Sequence, residues 1–417
     1  MSIRVLPKEV VDKIAAGEVI ERPASVVKEL IENALDAGAK TIAVEIEDGG
    51  SRLIKVVDDG AGFDAADLPL AFASHATSKL ADVDDLLHIG SFGFRGEALA
   101  SIGSVSRARI RSLRQGAATG AQIDCDGGRL SAAREVGAPA GTAIEVRDLF
   151  FNVPARRRFL RAKATELAHV VDTITRFSLS HPEVAFALRH EGKEVFSAPR
   201  ATALAERIAH AHGAKFAQAL IHAEAHGDEL HLEAFLAPPD QARRRAPWQY
   251  LFVNGRAIRD RTLAGAMRRA YSEVLPEVLQ PTYFVFLEMA PEQVDVNVHP
   301  TKAEVRFRDG SAVFRLVHHA VTEALQRADL APRVAAAAMP DAWRPRPRDV
   351  VPFAAPGTGA GMPGWCASPR PATTRCRRRR APPCCRSRAP LRQHRTRAHP
   401  ACRRATCRSI ARTSASR

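Results

Sequence analysis

The chain has 417 residues, 46% of them hydrophobic, and no run approaches the roughly 20 apolar residues of a membrane span, so no membrane role is expected. Its formal charge of +15 sits in the tail: residues 341–417 hold 19 Arg against two Asp, which is +17 and leaves about −2 for residues 1–340. Overall basicity is therefore no argument that the body binds nucleic acid, and any DNA contact there needs a local patch.

The first residues, MSIRVLPKEVVDKIAAGEV, mix charges with apolar positions and lack the apolar core of a secretory leader, so a cytoplasmic protein is expected. Pro23–Ala37 reads as a helix, with Val26, Val27, Leu30, Ala34 and Ala37 at i, i+3, i+4 spacing and Gly38 suited to its C-terminal cap. Strands are expected at Thr41–Ile46 and Leu53–Val57, followed by a Gly/Asp cluster at Asp58–Gly62. Residues 74–96 are polar and Gly-rich, a long loop of the kind that often serves as a lid. Strands at 104–112, 120–125 and 142–147 and a helix at 163–180 complete an α/β domain over residues 1–200. A smaller α/β domain is expected over 201–330. Its strands are Leu230–Leu236, Tyr250–Val253 and Tyr283–Met289, and its helices are Arg261–Val274 and Ala312–Arg327.

Beyond about Ala331 the sequence turns Ala/Pro-rich and then Arg/Cys/Pro/Ser-rich, without a hydrophobic period, so residues 331–417 are expected to be a disordered linker and tail. Cys125 stands alone in the body, and the spacing of the six tail cysteines matches no tetrahedral zinc template. A basic tail for nucleic acid and an out-of-frame or truncated product both fit. The absence of Lys and Glu beside six Cys favours the second.

Three motifs carry chemistry. Glu29, Asn33 and Asp36 share one helix face, where a carboxylate and a carboxamide can polarise a water and hold a hard cation through oxygen. Taken alone, the stripe also reads as a solvated helix face. In Asp58-Asp-Gly-Ala-Gly62, Gly60 and Gly62 permit close approach of a flat ligand, and Asp58 can accept from an exocyclic amine such as that of adenine; a plain Asp-Gly turn has the same look. Gly90-Ser-Phe-Gly-Phe-Arg-Gly-Glu-Ala-Leu99 places glycines before a helical run, which makes either a phosphate cradle or an ordinary loop. Neither GxxxxGK[ST] nor GxGxxG is present.

In their order, and with Gly141-Thr142 as the last, these segments resemble the four ATP-site motifs of the GHKL superfamily. The segments IAAGEVIERPASVVKELIENALDAG, SHATSKL, GFRGEALASI, VRDLFFNVPARRRFL, FVNGRAIRDR and VDVNVHPTKAEVRF narrow the resemblance to the MutL family of DNA mismatch repair proteins over about residues 1–330. The resemblance implies a GHKL (Bergerat-type) ATPase α/β sandwich followed by a smaller, transducer-like α/β domain, with ATP and Mg²⁺ as cofactors. It implies Glu29 as general base, Asn33 as Mg²⁺ ligand, and Asp58 as the adenine-binding carboxylate, with Gly60, Gly62 and Thr142 around it. It further implies a phosphate-facing lid from Thr77, Ser78, Lys79, Gly93, Phe94, Arg95, Gly96, Glu97, Ala98 and Leu99, and Lys302 as a second-domain lysine reaching the γ-phosphate. The implied role is a weak ATPase that dimerises on ATP, binds DNA, and couples mismatch recognition by MutS to a downstream endonuclease or helicase, in the cytoplasm at the nucleoid.

Arg256, Arg259, Arg261 and Arg268 form an Arg-rich stretch without interleaved aromatics, which suggests DNA phosphate contact or a solvated helix; the resemblance points to Arg261 as the DNA-groove arginine. Arg156–Arg158 read equally as structural. No DQHAxxE-like segment and no folded sequence after about residue 330 are found, so the resemblance leaves constitutive dimerisation and intrinsic nicking open for this chain. Two alternatives stand beside the mismatch-repair reading: the ATPase subunit of a type II topoisomerase, and a non-hydrolysing ATP- or DNA-binding module.

Overall fold

The structure is a computed structural model that describes residues 19–74, 96–227, 229–245, 248–295 and 305–328, with residues 7, 13, 16, 17 and 76. Helix α1 spans Pro23–Asp36 and starts on proline, where a missing N–H costs nothing. It ends in a Schellman arrangement: the Gly38 N–H donates to Leu35 O at 2.9 Å and the Ala39 N–H to Ala34 O at 3.1 Å. Its apolar stripe (Val26, Val27, Leu30, Ile31, Ala34) is buried against a sheet built from β1 (Thr41–Glu47) and β2 (Leu53–Asp58) onward.

After helix α2 (Ala98–Ser104) come β3 (Arg107–Leu113), β4 (Gly120–Asp126), β5 (Arg129–Leu130), β6 (Arg134–Val136) and β7 (Gly141–Arg147). The short helix α3 (Pro154–Phe159) and the long helix α4 (Lys163–Ser180) lead to β8 (Ala185–His190) and β9 (Lys193–Ala198). The strand order is β5-β4-β3-β7-β2-β1-β8-β9, with β6 beside β4. Neighbours are antiparallel except β1 and β8. Along β1 the side chains alternate, with Ile42, Val44 and Ile46 buried and Thr41 and Ala43 exposed, as a sheet covered on one face requires. Helices α1, α2 and α4 supply that cover through Leu30, Ile102, Val170 and Ile174. This is the two-layer α/β sandwich expected from the sequence.

Helices α5 (Leu204–His212) and α6 (Ala214–Gln218) precede a second sheet of β10 (Ile221–His226), β11 (Leu230–Leu236), β12 (Gln249–Val253), β13 (Arg256–Ile258) and β14 (Tyr283–Met289). Its order is β10-β11-β14-β12-β13, and a two-stranded pair, β15 (Val294–Asp295) with β16 (Arg306–Phe307), stands apart. Helices α7 (Arg261–Tyr271) and α8 (Gly310–Arg327) cover one face through Leu263, Met267, Val313 and Val317. The other face meets Leu179 of α4 and Ile208 of α5 through Phe235, Tyr250, Phe252 and Phe284. Arg207 of α5 is fully buried at this junction. It donates to Ala198 O at 2.9 Å, to Val184 O at 2.7 Å and to Pro182 O, which ties the helix to the start and end of the β8–β9 hairpin. Among the described residues no helix is long and apolar enough to cross a membrane.

Candidate functional site

The site is organised around the end of β2. Asp58 is buried there, and its carboxylate accepts from the Gly60 N–H at 2.9 Å. Burial pushes this carboxyl up to about 6, against the opposing pull of the backbone N–H groups of Gly60 and Thr142. Thr142 is the cross-strand partner of Asp58 on β7. The two strands close tightly because Gly141 has φ +107° and a Cβ there would stand 2.1 Å from Asp58 O. The Ser112 hydroxyl donates to Gly141 O at 2.9 Å. It accepts from the Phe63 N–H at 2.8 Å and lies 3.0 Å from Thr142 Oγ1, where the threonine is then the donor.

The Asp58 turn is fastened to the end of α1. The Ala61 N–H donates to Ala37 O at 2.9 Å, and a Cβ on Gly60 would meet Ala37 Cβ at 2.9 Å. Gly62 passes so close to β3 that a Cβ would lie 2.4 Å from Leu113 O. One and two turns back along α1 are Asn33 and Glu29, the first half-buried and the second with 21% of its side chain exposed. Lys28 sits between two carboxylates, 3.0 Å from Glu29 and 2.7 Å from the buried Glu32. Burial works against the Lys28 ammonium, but the two glutamates outweigh it and hold its pKa above the ordinary value.

Of the expected phosphate-facing residues, Gly96, Glu97, Ala98 and Leu99 are described and half-buried at the start of α2. Gly96 has φ +62°, and a Cβ would come 2.4 Å from Ala76 O, so only glycine lets these two backbones meet. Thr77, Ser78, Lys79, Gly93, Phe94, Arg95 and Lys302 lie outside the described residues. An amine acceptor at Asp58, backbone flanked by Gly60 and Gly62, and oxygen donors on α1 fit a purine nucleotide with a hard cation.

The arginines separate. Arg259, Arg261 and Arg268 are exposed, Arg261 at the first position of α7 and Arg268 two turns later on the same side. Arg256, grouped with them from the sequence, is half-buried instead. Burial lowers its guanidinium pKa, while Glu32 and Asp36 of α1 act to raise it. The β13 strand thus turns Arg256 toward the acidic stripe of the first sheet's helix, away from the exposed group. Arg156 is half-buried beside Gly17, and Arg157 and Arg158 are exposed.

Residues 20–149 match the family model described as histidine kinase-, DNA gyrase B- and HSP90-like ATPase, and residues 208–326 match that of DNA mismatch repair protein, C-terminal domain. The MutL DNA mismatch repair protein of Neisseria meningitidis serogroup C is 46% identical over 330 residues, 79% of this chain and 50% of that protein. The solved Aquifex aeolicus MutL ATPase domain complexed with ADP is 31% identical, at a TM-score of 0.51, and the match covers 72% of this chain and 98% of that one.

The chain belongs to the MutL family.

It spans about half the length of the Neisseria relative and 62% of a MutL from Pseudomonas syringae pv. tomato that is 44% identical. The topoisomerase alternative is left with a distant likeness: a gyrase B-subunit from Myxococcus xanthus matches at 12% identity, which speaks for the fold alone. In this MutL-family chain the sequence reading passed over Ser112 and Lys28. Ser112 lies in the strand RARIRSL, where alternation marks only its buried face, and nothing local announces the three contacts it makes. Lys28 had a signal, since it stands next to Glu29 and four residues before Glu32 on one helix.

Proposed function

We propose that this chain is an ATP-binding and ATP-hydrolysing clamp of DNA mismatch repair, which dimerises on ATP, binds DNA through backbone contacts, and passes a mismatch signal from MutS to a downstream endonuclease or helicase. The supporting observation is the placement of a buried carboxylate, Asp58, at one end of α1 and of Glu29 and Asn33 further back on the same helix. Eight residues separate Ala37, beside the Asp58 turn, from Glu29, about 12 Å of helix at 1.5 Å per residue. That span suits a nucleoside triphosphate with its base at Asp58 and its terminal phosphate near Glu29.

In this reading Asp58 and the Thr142 strand orient the base, Asn33 would hold Mg²⁺ through its carboxamide oxygen, and Glu29 takes the proton from the attacking water. Bound Mg²⁺ would supply charge neutralisation at the phosphates. Thr77, Ser78, Lys79 and the Gly93–Leu99 segment would donate to phosphate oxygens, and Lys302 would reach the γ-phosphate. The domain division is residues 1–200 for nucleotide, 201–330 for transduction and DNA, and 331–417 for linker and tail. Hydrolysis is weak, and the protein works in the cytoplasm at the nucleoid.

The test pairs hydrolysis with assembly on the full chain. Glu29→Ala should keep ATP binding and lose about 10²-fold or more in turnover, because a base acts on the transition state more than on ground-state affinity. Sedimentation with a non-hydrolysable analogue should show a dimer, and specific activity should rise with protein concentration. Loss of ATP binding in Glu29→Ala with turnover retained would reverse the assignment of that residue. A chain that stays monomeric with the analogue, yet hydrolyses ATP at a rate independent of its concentration, would remove the clamp.

A further inference from the structure

The hairpin β10–β11 forms the open edge of the second sheet. Its inner face packs Ala223, Leu232, Ala234 and Leu236 into the core under α7 and α8. Its other face carries ligand-type side chains in register: Glu224 lies opposite Glu233 and His226 opposite His231. Like charges directly opposite one another destabilise a strand pair. His222 answers one of them, with its Nε2 3.2 Å from the Glu233 carboxylate. Glu224 is left to His226, whose Nε2 is 3.2 Å from its Oε1.

The two histidines face each other closely. Their Nδ1 atoms are 3.1 Å apart and their rings are stacked with centroids at 4.4 Å. Metal–nitrogen bonds of 2.0–2.1 Å in a tetrahedral site place two imidazole nitrogens about 3.3 Å apart. One ligand atom from each of Glu224, His226 and His231 lies within 4.8 Å of the others. Glu224 and His226 are exposed, so the His226 ring can turn out of its stack until both Nδ1 lone pairs point at one centre, with the Glu224 carboxylate swinging to the same point, and His231 is half-buried on the strand behind them. We propose that Glu224, His226 and His231 form a binding site for a transition-metal ion of the Zn²⁺ class, which clips the edge strand β10 to β11. Two imidazoles and one carboxylate suit such an ion and not Mg²⁺ or Ca²⁺, which prefer oxygen alone. Three protein ligands on an open face leave the fourth position to water, so the ion is exchangeable.

The test uses untagged full chain whose tail thiols have been alkylated, so that the six tail cysteines cannot compete for metal. Equilibrium dialysis at low micromolar free Zn²⁺, without nucleotide, should give one equivalent for the parent chain. His226→Ala and His231→Ala should each weaken that binding by at least about tenfold, the lower end of the loss seen even for groups that only support metal ligands. Glu224→Gln should weaken it as well, and His222→Ala, on the same face but outside the triad, should leave it intact. The melting temperature should rise with Zn²⁺ in the parent chain and not in His226→Ala, and circular dichroism without metal checks that the variants fold. Zn²⁺ uptake that survives the double substitution of His226 and His231, or no equivalent in the parent chain, would overturn the site. Uptake lost equally on His222→Ala would mean adventitious surface histidine binding only.

Discussion

At the scale of single residues, Asp58 shows a conflict between stability and binding. Its carboxyl is raised from an ordinary 3.8 to about 6, so above pH 6 the folded chain holds a charge that burial disfavours. The cost is absent below the unfolded pKa, grows as pH rises from about 4 to 6, and is fully present at neutral pH. Asp58→Asn should therefore raise the stability of the protein at pH 7.5, by about 1–3 kcal/mol from a shift of roughly two units. The same change should abolish tight ATP binding, since the one amide oxygen stays with the Gly60 N–H and the NH2 group then faces the amine. Urea titrations at two pH values alongside nucleotide binding decide it; a variant less stable than the parent at pH 7.5 would show that the carboxylate is held by more than the site geometry provides. Asp58 was legible because a strand followed by Asp-x-Gly-x-Gly is a local pattern. Ser112, which holds Thr142 and Gly141 in place, was not legible, because its three partners come from distant parts of the chain.

At the scale of elements, long periodic segments show their limits in the sequence: the helix over 163–180 and the strands Leu230–Leu236 and Tyr283–Met289 have the expected limits. The expected strand over 104–112 starts later, at Arg107, because Ala98–Ser104 is helical and the chain must turn before joining the sheet. The β12–β13 hairpin is absent from the sequence expectation although its signal is present. Asn254 and Gly255 have φ of +48° and +73°, the pair of positive angles a two-residue hairpin turn requires. Reading that turn would have put Arg256 on a strand opposite Val253, in place of an exposed arginine run. Arg261 carries a different signal. It opens α7, where Asp260 already caps the helix through the Leu263 N–H at 2.8 Å. A cation in the first turn opposes the helix dipole, so local stability does not explain it. Arg261→Glu should stabilise the chain by about 0.3–1 kcal/mol through that dipole and weaken DNA binding, with basal ATP hydrolysis nearly unchanged. Binding measured at two salt concentrations should also show a shallower salt dependence. Unchanged DNA affinity would take Arg261 out of the DNA surface.

At the scale of the whole molecule, a buried carboxyl on β2, Asp58, and a half-buried imidazole at the end of α5, His212, titrate over one pH window with opposite effects. His212, at the end of α5, is packed against Trp248 with ring centroids at 4.3 Å and against Phe284 at 5.2 Å, where the helices meet the second sheet. Its Nε2 has no hydrogen-bond partner among the described residues, and burial pushes its pKa from 6.5 down to about 4. The unfolded chain thus binds a proton there that the folded chain refuses, so stability falls as pH drops from 6.5 toward 4. Asp58 acts the other way, because its folded form gains a proton near 6 and sheds the cost of a buried charge. Each contributes about 1–3 kcal/mol for a shift of two to two and a half units, so the parent chain should show a shallow dependence from these two groups over this range. The variants separate them. Asp58→Asn removes the compensating group, and its stability should fall more steeply with acid than the parent's. His212→Phe keeps the aromatic packing and removes the titration, so its stability should hold or rise as pH drops from 6.5 to 4.5. Denaturant midpoints at several pH values read both slopes. Curves for the two variants that run parallel to the parent's would show that neither group governs the acid response, and that the junction between the helices and the second sheet is open enough for His212 to be protonated in the folded chain.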